Sequence, residues 1–348
     1  MLKVLRRALG FPSVGDVILG RTPKHVALVS VALVLVAITA PGQAAVTVSA
    51  APISVVVNTA RSVTGTADKG STTVALQQET VPGLWRTVAT DTPATDGSFS
   101  LAMPTWWLGQ RNYRVVTTGQ QSAVTKLTVK PSYTPAGRAS EYDYMVHSTI
   151  ARWDPCQTIG WRVNAAQATA GALADAKTAF RRLSEATGFR FVYRGTTSVI
   201  PKLDSHDSYP RDTQIVVAWI RKTQSNLFKG QMEADAIGSP YYLMGYHNGD
   251  GSDAYRISSG AVVIDSRFRV PGGFGSGLTR GDILLHELGH VMGLGHVNAG
   301  SEMMNPYMTR GVARYGKGDL AGLEKHGAEM GCLYAGSSKA TAGRAVIH

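Results

Sequence analysis

From about residue 46 to residue 130, apolar and polar positions alternate in short runs, the period of two that strands with one buried face require. Runs at 54–57, 73–77, 85–89, 98–101, 113–116 and 126–129 read as strands, and Pro82-Gly83 and Asp96-Gly97 supply turns between them. Short strands at this density predict an antiparallel β-sandwich over 46–130. Residues 131–138 hold two prolines and a glycine, which deter regular structure and mark a linker. Beyond it the period lengthens. Leu173, Ala176, Phe180 and Leu183 recur at helical spacing, and Gly188 stops that helix. Segments 160–163, 189–193, 214–220, 241–244 and 261–264 read as strands, and 214–220, apolar on both faces, belongs in the middle of its sheet. Helices are expected over 279–292 and 319–330. Residues 139–348 therefore predict an α+β domain.

The first 45 residues differ in character. Lys3, Arg6, Arg7, Arg21 and Lys24 precede an apolar run from Val26 to Ala40, broken only by Ser30 and Thr39. The run is short for a membrane span and suits the core of a signal peptide, with small residues around Ala44 and Ala45 as a cleavage site. Cleavage is the expectation and an uncleaved signal anchor the alternative; either places the remainder outside the membrane. The chain carries +11 at neutral pH, and its N-terminal basic residues account for enough of this to leave about +7 on the exported part. That balance suits association with an anionic cell surface or with acidic substrates. No basic run interleaved with aromatics points to nucleic acid, and a monomer is expected. Cys156 and Cys332 are the only cysteines. An even pair in an exported chain predicts one disulfide, tying the start of the α+β domain to its end.

The candidate chemistry lies in residues 286–296, His-Glu-Leu-Gly-His-Val-Met-Gly-Leu-Gly-His. His286 and His290, four apart, project from one helix face and can reach one metal ion. Gly293 permits a left-handed turn that brings His296 back as a third ligand. Three neutral imidazoles leave a tetrahedral Zn2+ with one open corner for water, as in a catalytic site. Glu287 then sits beside the metal, free to act as general base. An isolated His-x-x-x-His pair is often a surface accident, whereas five fixed positions in eleven are much harder to meet by chance. His147, His206, His247 and His326 lack paired spacing and read as structural or surface residues. The loop 248–253 has the carboxylates and glycines of a Ca2+ site without its full spacing, so turn chemistry competes with that reading.

The string from His286 to His296 resembles the zinc signature of the metzincin metallopeptidases. Met304, followed by Pro306, resembles the Met-turn of the matrixin branch, with Met303 as its competitor; the resemblance implies an apolar floor beneath the metal. Val297 stands where matrixins carry a small hydroxyl residue. Tyr307 lies one residue too far from Met304 to match the tyrosine ligand of other metzincins. Over roughly 140–335 the resemblance implies a metzincin-like zinc peptidase domain, a twisted mixed sheet with a ligand-bearing helix. It further implies protein or peptide substrates and an exposed edge strand at 237–244 over the cleft. It also offers another role for Cys156, a latency thiolate on zinc, although Trp-Asp-Pro-Cys is not the prodomain motif. Within 46–130, Gly65-Thr66 and the segments 74–77, 85–89 and 96–99 resemble bacterial immunoglobulin-like repeats, which implies a stalk or spacer. The expectation is a secreted or surface-attached zinc endopeptidase. Its rivals are a non-enzymatic cell-surface binding protein with a structural zinc domain, and a metallohydrolase of non-peptide substrates.

Overall fold

A computed structural model of the chain describes residues 46–48, 53–203, 208–307, 312–336 and 342–344. The expected signal segment with its cleavage site, and His206, lie outside them. The first region is all β. Strands β1 (Thr47–Val48), β2 (Ile53–Val56), β3 (Ser62–Thr66), β4 (Val74–Val81), β5 (Leu84–Asp91), β6 (Ser98–Ala102), β7 (Gly109–Thr117), β8 (Gln120–Gln121) and β9 (Thr125–Lys130) form two sheets. Their orders are β1-β3-β6 and β2-β9-β7-β4-β5, with β8 beside β7. Alternation selects the inner face: Val74, Leu76, Tyr113, Val115, Leu127 and Val129 meet Val63, Phe99 and Leu101 of the smaller sheet in one core. The expected antiparallel pattern has one exception among the described strands, because β2 runs parallel to β9. The sequence pattern also passed over β3. Gly65 interrupts its alternation, and a Cβ there would lie 2.1 Å from the Thr47 carbonyl oxygen, so the strands approach too closely for a side chain.

The second region contains β10 (Ala151–Arg152), β11 (Ile159–Asn164), α1 (Ala172–Thr187), β12 (Phe191–Thr196), β13 (Ile215–Ile220), β14 (Ala236–His247), β15 (Asp253–Asp265), α2 (Arg280–Val291), α3 (Lys317–His326), β16 (Tyr334–Ala335) and β17 (Ala342–Arg344). The sheet runs β12-β11-β13-β15-β14-β16; β10 pairs with β15, and β17 with β14. Every residue of β13 is buried, as expected for a parallel strand covered on both faces. Ala176, Ala179, Phe180 and Leu183 turn α1 toward the same core, and Gly188 ends it in a left-handed cap at φ 74°. Helix α2 is almost wholly buried. Its first turn is fixed by Asp282, whose carboxylate accepts the backbone N–H of Thr279 at 2.8 Å and its hydroxyl at 2.6 Å.

Strand β14 is antiparallel to β15, but less of its outer edge is free than the sequence led us to expect. Tyr241–Leu243 pair with Ala342–Arg344, and Tyr246–His247 with Tyr334–Ala335. The returning chain after α3 therefore covers the far part of the edge.

A disulfide joins Cys156 to Cys332 across 176 positions. Closing so long a loop stabilises by about 4–5 kcal/mol on the chain-entropy account. Both sulfurs are committed to that bond, which excludes a latency thiolate in this state. Beside it Arg152 is completely buried, donating to Asn248 Oδ1 at 2.9 Å and to the carbonyl of Gly331 at 2.9 Å.

The two regions are joined by more than residues 131–138. Arg111 on β7 donates to Glu329 Oε1 at 2.7 Å and to the carbonyls of Leu108 and Trp107 at 2.9 Å, and its guanidinium stacks 4.0 Å from the Trp107 ring. The Trp107 indole N–H also reaches Glu329 at 3.2 Å. The Leu108 N–H donates to the Glu185 carbonyl at 2.8 Å, and the Asn58 amide to the Glu185 carboxylate at 2.9 Å. Arg111 is buried, so removing it strands the partner charge of Glu329. Arg111→Met should lower the unfolding free energy of the whole chain by about 3 kcal/mol in urea denaturation. An unchanged midpoint would show that the junction contributes nothing.

Candidate metal centre

Three imidazoles converge where α2 ends. The Nε2 atoms of His286, His290 and His296 lie 3.1–3.2 Å from one another. His286 and His290 are one helical turn apart on α2 and buried. Gly293 leaves the helix at φ 101°, a conformation that a side chain resists, and its N–H donates to the His290 carbonyl at 2.8 Å. A Cβ there would also meet the Ala151 carbonyl oxygen at 2.6 Å. The turn that carries His296 is pinned from outside: the Met145 N–H donates to the Gly293 carbonyl at 2.9 Å, and the Gly295 N–H to that of Asp143 at 2.8 Å.

Hydrogen bonding fixes the tautomers. The Nδ1–H of His286 donates to the Met303 carbonyl at 2.7 Å, and that of His290 to the Leu294 carbonyl at 2.8 Å. A carbonyl can only accept, so each Nδ1 carries the proton and each Nε2 presents a lone pair. Burial holds the pKa values of all three histidines down, that of His286 to about 4, which keeps the rings neutral. Converging lone pairs at this separation repel unless a cation lies between them. Tetrahedral nitrogen ligands at 2.0–2.1 Å from zinc are about 3.3–3.4 Å apart, close to the spacing here, so the donor set fits that ion. The only other group of three potential ligands among the described residues is Asp154, Cys156 and Cys332, whose sulfurs form the disulfide.

Glu287 is buried beside the triad and lines the same cleft, an opening of about 440 Å³ bounded by Ala236–Gly238, Leu278 and Tyr307. Burial pushes its carboxyl up to about 8, opposed by the backbone N–H of Gly238. A proton affinity near neutrality suits a group that must both take and return a proton, and a neighbouring cation favours its charged form. Gly238 has a second role: a Cβ there would lie 2.1 Å from the Glu287 carbonyl oxygen, so only glycine lets β14 pass this close to α2.

Below the triad, the sulfur of Met304 occupies the space that a Cβ on Gly289 would enter at 2.3 Å. Met304 is buried, and its thioether abuts α2 between the two helical histidines. Met303, its competitor in the sequence, contributes through its backbone. Its carbonyl orients His286, and its N–H donates to Asp319 Oδ2 at 2.5 Å. Asp319 also accepts the N–H groups of Met304 at 3.1 Å and Gly316 at 2.7 Å, and burial pushes its carboxyl up to about 7. One carboxylate on α3 thus braces the turn that orients a ring on α2.

Asp319, Gly289 and Gly238 had no part in the site expected from the motif. Two of them left a trace: glycine inside a helix signals close packing, and Asp in a first helical turn signals capping. Tyr307 is exposed at the cleft mouth. In the loop 248–253, Asp250 accepts the N–H and hydroxyl of Ser252, and Asp253 pairs with His247 at 3.1 Å. These contacts are ordinary turn chemistry.

A family model described as Matrixin matches residues 152–325, half of the chain. The chain belongs to the matrixin family. As a matrixin it is a zinc metallopeptidase in general terms, and the α+β domain around the triad is the part that carries the match. No curated protein matches the chain. A solved structure concerned with T cell specificity and activation by the bacterial superantigen toxic shock syndrome toxin-1 contains a chain that aligns at 14% identity. That alignment covers 24% of this matrixin and 98% of the other chain at a TM-score of 0.20, too low to bear on the fold.

Gly289→Ala forces the Met304 side chain aside and should weaken zinc retention at least about tenfold in competition with a chelating dye. Unaltered retention would show that the packing under the triad is slack. His326, buried beneath the Gly293 turn, donates its Nδ1–H to the Gly322 carbonyl at 2.9 Å, and burial lowers its pKa to about 4. The unfolded chain takes up this proton near pH 6.5, so the stability linked to a neutral His326 is complete above that pH and is lost as pH falls toward 4. Up to about 3 kcal/mol of this acid-side decline should vanish in His326→Gln, read as the difference between the two pH–stability curves.

Proposed function

We propose that this matrixin is an exported zinc endopeptidase, secreted or held at the cell surface, with His286, His290 and His296 as zinc ligands and Glu287 as general base. The observation that carries the reading is the convergence of three lone-pair nitrogens beside a buried carboxylate at an open cleft. Zinc, when bound, supplies Lewis acidity: it polarises the scissile carbonyl and lowers the pKa of the attacking water from about 16 toward 7. Glu287 takes the proton from that water as it attacks and delivers it to the departing amine. The carbonyls of Met303 and Leu294 keep the two helical rings in the tautomer that faces the cleft. Met304 serves as the apolar floor. An extended peptide lies across the cleft beside the start of β14, Ala236–Gly238, where main-chain hydrogen bonds align it with little demand on its sequence.

The all-β region acts as an immunoglobulin-like module that braces the catalytic part. The basic balance of the chain supports association with an anionic surface, and monomeric action is sufficient for the mechanism.

Glu287→Gln should retain stoichiometric zinc and lose about 10²–10⁴-fold in turnover of a denatured protein substrate, whereas His290→Ala should lose the metal itself. Chelator-resistant cleavage, or full activity in Glu287→Gln, would sink this reading. Failure to cleave any peptide while retaining zinc would favour a binding protein with a structural metal.

A further inference from the structure

On the far side of α2 from the cleft lies a second opening, a cavity of about 180 Å³ between the all-β region and the catalytic part. Its walls include Val57 and Leu108 from the first region, Tyr133 from the connecting segment, and Leu285, the residue before His286. The charge lining it is unbalanced. Arg181, Arg182 and Arg314 face a single carboxylate, Glu185. That carboxylate is already committed, accepting Arg181 at 2.7 Å and the Asn58 amide at 2.9 Å.

Neither Arg182 nor Arg314 has an ion-pair partner among the described residues. Arg182 donates to the Ala313 carbonyl at 2.5 Å and stacks 4.2 Å from the Phe274 ring. Arg314 lies 5.1 Å from the Tyr133 ring. Cation–π contacts and one carbonyl hold the guanidiniums in place without neutralising them. Burial lowers the Arg182 pKa, and the like charges of Arg181 and Arg314 push in the same direction. Arg182 is half-buried and carries no neutralising partner, while the exposed Arg314 beside it adds a second positive charge, so the rim favours an anion. Tyr133 and Tyr315 complete a polar lining, the Tyr133 hydroxyl donating to the Tyr315 carbonyl at 2.9 Å.

We propose that this cavity is a binding site for a small dianion of the phosphate, sulfate or dicarboxylate class, held between Arg182 and Arg314. Guanidinium groups match such oxygens with paired, charge-assisted hydrogen bonds. The site would tie α1 to the segment after the Met-turn and to the connecting segment. Tyr315, in the same lining, donates its hydroxyl to the Leu285 carbonyl at 3.1 Å, so an anion here would also brace the start of the ligand-bearing turn of α2.

The test is isothermal titration of inorganic phosphate into the full chain, with sodium chloride at matched ionic strength as the control. A saturable heat should appear, accompanied by a melting-temperature rise of roughly 3–6 °C at ten times the dissociation constant. Arg314 is exposed, so Arg314→Gln should fold normally and weaken phosphate binding at least about tenfold. Arg182→Gln should do the same, and titration with succinate distinguishes a tetrahedral oxyanion from a dicarboxylate. No saturable heat up to about 10 mM phosphate, or equal affinity in Arg314→Gln, would overturn the proposal.

Discussion

Two lone pairs held 3.1 Å apart in a buried pocket are unfavourable by themselves, and a third at 3.2 Å adds to the repulsion. Most of the surrounding structure keeps that arrangement in place. Both rings on α2 give their Nδ1 protons to backbone carbonyls, and neither carbonyl is on the helix that carries the ring. Rotating a ring away from the centre would therefore break a buried hydrogen bond, which typically costs about 1–3 kcal/mol for the group left unsatisfied. The site is held in a metal-ready tautomer by parts of the chain that follow α2, and these parts must themselves be fixed.

They are fixed in layers. The Met303 carbonyl depends on the position of its peptide, and that peptide is held by Asp319 on α3. Asp319 in turn receives support from Glu302, whose carboxylate accepts the Asp319 N–H at 3.0 Å. The loop bearing His296 is clamped by the strand-like segment 143–145, and the end of α2 by the Trp153 indole, which donates to the Val291 carbonyl at 2.9 Å. Trp153 adjoins the buried Arg152 and lies near the disulfide, so the segment entering the catalytic part and the segment leaving it meet behind the same helix. Preorganisation of this kind lets a site be strict about geometry without relying on any single contact.

What the sequence revealed follows from the range of the interactions involved. The grouping of His286, His290 and His296 was legible because two of them share one helix and the third follows a glycine turn only three residues later. Strand β13 and helix α1 were legible because burial writes itself directly into periodicity. Asp319 was not, because its partners Met303 and Met304 lie on a different element and nothing local distinguishes it from an ordinary capping residue. The same holds for the junction: Arg111 sits on a strand where inward-facing positions are otherwise apolar, and its partner Glu329 is 218 residues away. An arginine at an inward position is a visible anomaly, but the sequence does not say what it meets. The edge of β14 was overestimated for a related reason. Its covering strands come from the end of the chain, beyond the reach of any local pattern.

That shorter edge has a consequence for recognition. Tyr241–Leu243 and Tyr246–His247 are already paired and offer a peptide no ladder. Pro240 has no N–H to offer, which weakens the ladder further and also protects the edge from pairing with another copy. Each ladder bond lost there removes about 0.5–1.5 kcal/mol net of possible main-chain recognition. Side chains that enter the cleft meet apolar surface from Phe268, Leu278 and Ile283 beside Glu287. A short ladder with an apolar pocket selects by the residue next to the scissile bond, and a long ladder selects by extended conformation.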